Sequence, residues 1–375
     1  MPEGGSVMQI ALTKKLADAM GVRPGEASKD ADPLLSWTAS WVRVWENRKA
    51  EDMLVMVNNA TRFTVAIYEV KRKDLKKNVP EMMTVAIKNT LLALNLNPEI
   101  VDECMRQCGE VEFAVNRDRQ LTAWVNRAGM DCALHVGHSY NGIDKMFSDT
   151  VGAEVNNRIV GYSNNQKDYF KPKEKFFDAL AKLTDLPVYS YRAYELLVTL
   201  DLEIYKAVRR LIVPADIGLP ELHDVLQSAF GWKDCHLHDW CAFAEKDRKP
   251  AVRLVMTDLD LEYDENAILE TGHVLSDYLP KYSHLLYTYD MGDNWEHQIE
   301  LVRVIDNCKE ESPYLIEAVG QTPPEDVGGV GGFLDFRKAI LDPSHAGHSD
   351  AKAWVGYWQP ELSEWECRPR VIFGW

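Results

Sequence analysis

The stretch GLPELHDVLQSAFGWKDCHLHDWCAF, residues 218–243, carries the local pattern that sets the fold class. Pro220 stands where a helix would begin, and Gly231 predicts its end, because proline suits the first helical turn and glycine suits the residue after the last. Between them, apolar residues recur at helical spacing at Leu222, Val225, Leu226 and Phe230. The segment HLHDWCAF (236–243) then has the composition of a strand. A helix followed closely by a strand indicates mixed α and β structure.

The rest of the second half extends this pattern. Further strands are predicted at residues 193–202, 205–213, 251–258, 284–290 and 295–305. The last two are separated only by Met291-Gly292-Asp293-Asn294, which has the composition of a tight hairpin turn. A helix is predicted at 333–341, after a glycine-rich loop. The short connection at 291–294 predicts a β-hairpin, and this half as a whole alternates strands with a few helices.

The first half reads as a separate α+β unit. Strands are predicted at 36–45, 52–59, 62–70 and 110–115, and helices at 81–94, 98–108 and 121–134. Residues 137–171 are rich in Asn, Gly and Ser and lose this periodicity, and a helix is predicted again at 172–183. We therefore expect an N-terminal domain at 1–135, a linker with a connecting helix at 136–186, and a second domain at 187–375, each domain with an antiparallel sheet.

Composition narrows the possible partners and the compartment. The 375 residues carry 42 Lys+Arg and 58 Asp+Glu, and residues 187–375 hold 17 of the basic and 33 of the acidic ones. An acidic second half repels phosphates, so it is predicted not to bind duplex DNA. The chain has no apolar run of about 20 residues, so no membrane span is expected. Seven cysteines without a CxxC pair or a signal peptide predict a reduced, cytoplasmic location.

Three motifs in the second half could contribute to one polar cleft: the HLH segment at 236–238, YDMGDNWEH at 289–297 and TPPEDVGGVGGF at 322–333. The candidate cleft residues are His236, His238, Asp290, Asp293, Glu296, His297, Glu325 and Asp326. A strand would place His236 and His238 on one face, and with His297 these side chains could hold a divalent metal. Each motif also has a plain structural interpretation, as packed histidines, a hairpin turn and a helix start.

The order of these motifs is similar to that in a known family. The stretches PADIGLPELHDVLQSAFGWKDCHLHDW (214–240), YTYDMGDNWEHQIELV (287–302) and TPPEDVGGVGGFLDFRKAILDPSHAGH (322–348) resemble the plasmid pRiA4b ORF-3-like family, also called transposable-element passenger TnpR-like. The N-terminal half resembles a domain of unknown function found fused to it. The resemblance implies an α+β fold with antiparallel strands and no established activity.

Two features of the sequence limit which properties of the family can be expected in this chain. The name suggests a resolvase, but the second half lacks the basic DNA-binding helices that such an enzyme needs. Many members of the family carry Cys on both sides of the PPED motif, where this chain has Thr322 and Val327. Any metal or disulfide that those cysteines form in relatives cannot form in the same way here.

Two functions remain open from the sequence. The first is a non-enzymatic binding or interaction module of a plasmid- or mobile-element-related family, whose acidic second domain engages a protein partner or occupies a basic nucleic-acid-binding site. The second is a metal-dependent, hydrolase-like enzyme that uses the polar cleft. Metal content and the convergence of His236, His238, His297 and Glu325 on one cleft would separate the two. The sequence leaves the substrate, the partner and the oligomeric state open.

Overall fold

The computed structural model describes residues 7–44, 51–68, 70–138, 155–161, 168–244, 249–262, 264, 266–355 and 370–371. The chain divides into two compact units, Met1–Ser190 and Tyr191–Trp375. Two stretches of the predicted linker region, 139–154 and 162–167, lie outside the described residues, as do 356–369 and the positions after 371.

The first unit is built on a five-stranded sheet in the order β4-β3-β2-β1-β5. Its strands are β1 (Val7–Leu12), β2 (Ser36–Val44), β3 (Glu51–Asn58), β4 (Thr64–Ile67) and β5 (Glu110–Val115). β1 pairs in parallel with both β2 and β5, whereas the other pairs are antiparallel. This sheet is therefore mixed rather than purely antiparallel. The difference arises because β1 lies before the first helix, where the sequence pattern had not indicated a strand. A separate two-stranded pair joins β6 (Val160–Gly161) and β7 (Tyr169–Phe170).

The helices of the first unit close two hydrophobic cores, a large one shared by four of them and a smaller one in which Val125, Ala128 and Cys132 of the fourth helix pack with β3. These helices are α1 (Lys14–Met20), α2 (Val79–Ala93), α3 (Pro98–Cys108), α4 (Arg119–His138) and α5 (Pro172–Ala181). α5 contributes Phe176 and Phe177 to the large core, and the Phe176 ring stacks on Phe63 with 4.6 Å between ring centroids. The helix that the sequence suggested as a connector is thus part of the first unit.

The second unit is a nine-stranded sheet in the order β12-β11-β10-β13-β14-β8-β9-β15-β16. Its strands are β8 (Tyr191–Asp201), β9 (Lys206–Pro214), β10 (His238–Phe243), β11 (Val252–Val255), β12 (Ile268–Leu269), β13 (His284–Tyr289), β14 (Trp295–Cys308), β15 (Tyr314–Val319) and β16 (Arg370–Val371). Every neighbouring pair is antiparallel except β11 with β12. The sheet places β10 beside β13 and β13 beside β14, so that two of the three sequence motifs meet at one end of these strands.

Helices of the second unit are α6 (Leu219–Phe230), α7 (Asp258–Leu261), α8 (Gly329–Leu341) and α9 (His348–Val355). α6 occupies the predicted residues, and its buried Leu222 and Leu226 belong to one core with Trp240 and Tyr287 of the sheet. Burial of such side chains contributes about 1.5–3 kcal/mol each. α8 begins at Gly329, earlier than the predicted start at Phe333, so that Gly329, Gly331 and Gly332 of the TPPEDVGGVGGF motif lie in its first turn.

The predicted α+β architecture with two domains is confirmed by these two units. Among the described residues, no helix combines the length and the apolar character that crossing a membrane requires.

We propose that the two units fold independently, with the boundary between the end of α5 at Ala181 and the start of β8 at Tyr191. Each unit has its own hydrophobic core, α5 belongs to the core of the first, and the composition of residues 137–171 predicts a segment open to cleavage. Limited proteolysis of the full chain should therefore cut first between 136 and 186, outside α5, and leave two protected fragments. A first cut within 195–305, with both ends still protected, would contradict the proposal.

Candidate functional site

The turn between α6 and β10, residues 231–237, carries His236. β10 begins at His238, so His236 lies outside the strand and does not share a face with His238 as the sequence suggested. The reason is that side chains bind the N–H groups of residues 233–235, and the backbone bond from the hairpin begins only at Leu237, whose carbonyl oxygen accepts from Asp290 N–H at 2.9 Å. Three consecutive N–H groups donate to side chains: Lys233 to Glu325 Oε1 (2.8 Å), Asp234 to Gln227 Oε1 (2.9 Å) and Cys235 to the Tyr289 hydroxyl (2.9 Å).

The hairpin between β13 and β14 places Asp290 beside this turn. Asp290 has a positive φ of 58°, and its Oδ1 accepts hydrogen bonds from the backbone N–H groups of Gly292 (2.9 Å) and Asp293 (3.2 Å). Such a side chain builds its own turn. The second oxygen, Oδ2, is left free to face His236.

The other two acidic residues of the hairpin do not join that contact. Asp293 Oδ2 accepts from the backbone N–H of Gly328 at 3.0 Å. Glu296 is exposed and accepts from the Asn294 side chain at 3.1 Å. Asp293 therefore links the hairpin to the PPED loop, and Glu296 lies on the solvent-facing side of β14.

The PPED loop, residues 322–328, is closed onto both the turn and the hairpin. Glu325 Oε1 accepts from Lys233 N–H and also from the Tyr289 hydroxyl at 3.0 Å. Gly329, with φ 66°, lies so close to the hairpin that an added Cβ would fall 2.5 Å from the carbonyl oxygen of Asp293. Only glycine fits both that conformation and that approach. The loop therefore holds Asp326 in a fixed position.

His236, Asp290 and Asp326 converge and form what we call the His236 cluster. The Nε2 atom of His236 lies 3.0 Å from Oδ1 of Asp326 and 3.5 Å from Oδ2 of Asp290. This Nε2 is buried, yet neither carboxylate lies at an angle that makes a hydrogen bond with it. The side chain of Asp290 is mostly buried, and that of Asp326 is mostly exposed. Three donor atoms from three segments therefore face one point.

His238 lies in a different environment. Its Nε2 contacts Oε2 of the buried Glu270 at 2.9 Å, and the same oxygen accepts from the Trp240 indole N–H at 2.6 Å. The His238 ring stacks on His223 with 3.8 Å between centroids. His238 thus belongs to a buried polar network beneath the turn.

His297 lies in the core. Burial lowers its pKa to about 3, and its Nδ1 lies 3.0 Å from the carbonyl oxygen of Trp295. The Phe230 ring packs edge-on against it at 4.5 Å. The three histidines proposed as metal ligands from the sequence therefore occupy three separate environments, and in the His236 cluster the remaining donors are carboxylates.

A second group of possible ligands, His223, Asp224 and Asp234, is bound into a network that the sequence did not indicate. Gln227 accepts from the backbone N–H of Asp234, so its amide nitrogen must be the atom that donates to the Tyr287 hydroxyl oxygen at 2.9 Å. The Tyr287 O–H then donates to His223 Nδ1 at 2.7 Å, and the proton on Nε2 donates to Asp234 Oδ1 at 3.0 Å.

This assignment leaves His223 neutral, with a proton on the nitrogen that a metal would need. Burial, the larger influence, also lowers the pKa of His223, and its hydrogen bond lowers the pKa of Asp234. His223 is therefore a hydrogen-bonding residue, and the His236 cluster is the better candidate for a metal centre.

The two halves of the chain match two different families of known proteins. The fold and cluster define the second unit as an α+β domain with a candidate metal centre at one end of its sheet. Residues 192–366 match the plasmid pRiA4b ORF-3-like family, and residues 9–175 match a domain of unknown function, DUF6933. The chain belongs to the plasmid pRiA4b ORF-3-like family.

Two similar proteins illustrate the relationship. The uncharacterized protein y4hQ of Sinorhizobium fredii is 36% identical over 169 residues, which are 42% of this chain and 78% of that protein. A protein of unknown function from Methanosarcina mazei, MM3350, is 27% identical, with a TM-score of 0.40, and the match covers 45% of this chain and 93% of that one. Neither has a described activity.

Proposed function

We propose that the second unit is a divalent-metal-binding module whose ligands are His236 Nε2, Asp290 Oδ2 and Asp326 Oδ1. The observation that carries the proposal is the spacing of these atoms. Ligands bound at about 2.0–2.2 Å in tetrahedral or octahedral geometry lie about 3.0–3.5 Å from one another. The separations from Nε2, 3.0 and 3.5 Å, fall in this interval.

The electrostatic environment supports a cation. Besides the two aspartates of the cluster, the same hairpin and PPED loop carry three further carboxylates, Asp293, Glu296 and Glu325. In the part of the chain that the structure describes, none of the five forms an ion pair with Lys or Arg. Elsewhere in the unit, buried Glu195 pairs with both Arg210 and Arg303. Unpaired carboxylates beside an imidazole nitrogen favour a positively charged ligand.

The donor set indicates which ions fit. One imidazole nitrogen and two carboxylate oxygens suit Zn²⁺ or Mn²⁺ better than Mg²⁺, which is mostly bound by oxygen and keeps several waters. The family positions that many members fill with cysteine are Thr322 and Val327 in this chain, so a thiolate site at the PPED motif is not expected here.

A protonated His236 that forms ion pairs with both aspartates is the competing explanation for the same contacts. It requires no metal, and it predicts that added metal changes neither the stability nor the pH response of the protein. Direct binding measurements separate the two.

Metal binding by the His236 cluster can be measured directly. Isothermal titration calorimetry of the metal-free full chain with Zn²⁺ or Mn²⁺ should show one bound ion per chain. His236→Ala should weaken its affinity at least about 100-fold, because loss of an outer-shell partner alone already costs about 10–100-fold. The matched control is His284→Ala. His284 begins β13 at the end opposite Asp290, where it stacks on Phe243, and its loss should leave the affinity unchanged. Equal binding by wild type and His236→Ala would contradict the proposal.

The acidic charge of the second domain indicates which class of partner such a module would bind. With 33 acidic and 17 basic residues in 187–375, we propose that it engages a protein partner and not duplex DNA. A second candidate function is metal-dependent hydrolysis. It is favoured by a set of three protein ligands in the described part of the chain, which leaves coordination positions for water. Turnover of activated esters by the metal-loaded protein that is lost in Asp326→Asn would support hydrolysis, and binding without turnover would support the interaction module.

A further inference from the structure

We propose that His223 and Asp234 act together as positioning residues for the His236 cluster. This inference rests on the proposed metal-binding function. In the part of the chain that the structure describes, no hydrogen bond or ion pair joins either residue to the three ligand atoms. Their connection to the site is through the turn, in which Asp234 lies two residues before His236.

The turn is held from its two sides by different elements. Toward the PPED loop and β13, Lys233 and Cys235 donate to Glu325 and the Tyr289 hydroxyl. Toward α6, Asp234 is fixed twice: its N–H donates to Gln227, and its Oδ1 accepts from His223. Removing either side would leave the chain leading to His236 attached on the other side only.

The conformation of Asp234 makes these bonds necessary. Its φ is 53°, in the left-handed region that residues other than glycine seldom adopt. Asp tolerates this region best when its short side chain is hydrogen-bonded. The His223 bond supplies that support, and it directs the following residues toward Asp290 and Asp326.

The His223 side chain is held in place by residues of α6, β10 and β13 on the side away from Asp234. His223 and Gln227 are four residues apart and therefore lie on one face of α6, where both contact the Tyr287 hydroxyl. The ring also stacks on His238, whose Nε2 contacts Glu270. The buried network beneath the turn thus has a defined role: it transmits the fixed position of α6 and β13 to the ligand His236.

The test uses Asp234, whose side chain is 56% exposed, so that its substitution should not unfold the protein. Asp234→Ala removes the acceptor, whereas Asp234→Asn keeps an oxygen that can accept from His223. In the full chain, Zn²⁺ affinity should fall about 10-fold in Asp234→Ala, the low end of the effect of outer-shell changes, and stay within about 3-fold in Asp234→Asn. Thermal unfolding of the metal-free variants controls for stability.

A double-mutant cycle completes the experiment. In a His223→Gln background, Asp234→Ala should produce little additional loss, because the pair acts as one unit. Unchanged Zn²⁺ affinity in Asp234→Ala would overturn the positioning role while the proposed function stands. Two bound ions in wild type with one lost in Asp234→Ala would also overturn it, since Asp234 would then be a ligand. No binding by wild type would overturn both proposals, and recovery in Asp234→Asn supports this one.

Discussion

Arg209→Met is expected to destabilise the second unit by about 3–5 kcal/mol, because a buried hydrogen-bond network is lost and each buried acceptor left without a donor costs about 1–3 kcal/mol. The Arg209 side chain on β9 is almost completely buried, and its guanidinium lies over the Phe230 ring at 4.6 Å. It donates to five acceptors: the carbonyl oxygens of Ala229 (2.7 Å), Val208 (2.8 Å), Val319 (3.1 Å) and Gly320 (3.0 Å) and the Thr322 hydroxyl (3.0 Å). Methionine has a similar volume but leaves these interior acceptors without donors.

Urea unfolding of the full chain, followed by tryptophan fluorescence, measures this loss. The matched control is Arg192→Met, because Arg192 is half-exposed and, among the described residues, its ion pair is a 3.7 Å contact with the exposed Asp306. That change should cost less than about 1 kcal/mol. If Arg209→Met were as stable as this control, Arg209 would not be the residue that anchors the C-terminal end of α6 and the start of the PPED loop.

The pH dependence of stability should depend on a buried histidine, His297, and a partly buried aspartate, Asp224, whose contributions oppose each other. Burial lowers the pKa of His297 to about 3, whereas its unfolded value is 6.5. As the pH falls below 6.5, the unfolded chain takes up a proton that folded His297 refuses, so stability is lost. Between pH 7 and pH 5 this amounts to about 2 kcal/mol.

Asp224 works in the other direction. Burial, together with the charges of Asp234, Glu221 and Glu270, raises the pKa of Asp224 to about 7 from 3.8. As the pH falls from 7 to 5, the folded protein takes up this proton and the unfolded chain does not, so stability is gained, again by about 2 kcal/mol. In wild type the two contributions nearly cancel.

Single substitutions should reveal them separately. Between pH 7 and pH 5, His297→Asn should gain about 2 kcal/mol relative to wild type, and Asp224→Asn should lose about 2 kcal/mol relative to wild type. Urea unfolding of the three metal-free proteins at both pH values measures these differences, whatever the absolute stability of each variant. Parallel pH responses in all three proteins would show that neither group titrates as its environment implies.

Much of the fold could be predicted from local pattern. α6 was predicted correctly because Pro220, Gly231 and the apolar spacing between them agree on one helix. The alternation of Trp295, His297 and Ile299 along β14 is a signal that His297 points into the core, since all three are buried and share one face. Local pattern could not predict the parallel insertion of β1, because that pairing is decided by contacts distant in sequence.

The candidate site shows the same limit. The sequence correctly indicated which motifs carry polar residues, but it placed His236 on a strand with His238. The strand starts only at His238 because the residues before it are bound by the side chains of Gln227, Tyr289 and Glu325, which come from α6, β13 and the PPED loop. A pattern within one segment cannot contain that information. The choice of Asp290 and Asp326 as the partners of His236 likewise depends on three segments meeting in space.

The most direct test of the metal centre is anomalous diffraction from crystals of the full chain grown metal-free and then soaked in Zn²⁺. The structure predicts one anomalous peak within about 2.0–2.2 Å of His236 Nε2, Asp290 Oδ2 and Asp326 Oδ1. Soaked crystals with no peak at this position, and with His236 Nε2 donating a hydrogen bond to Asp326, would contradict the metal site.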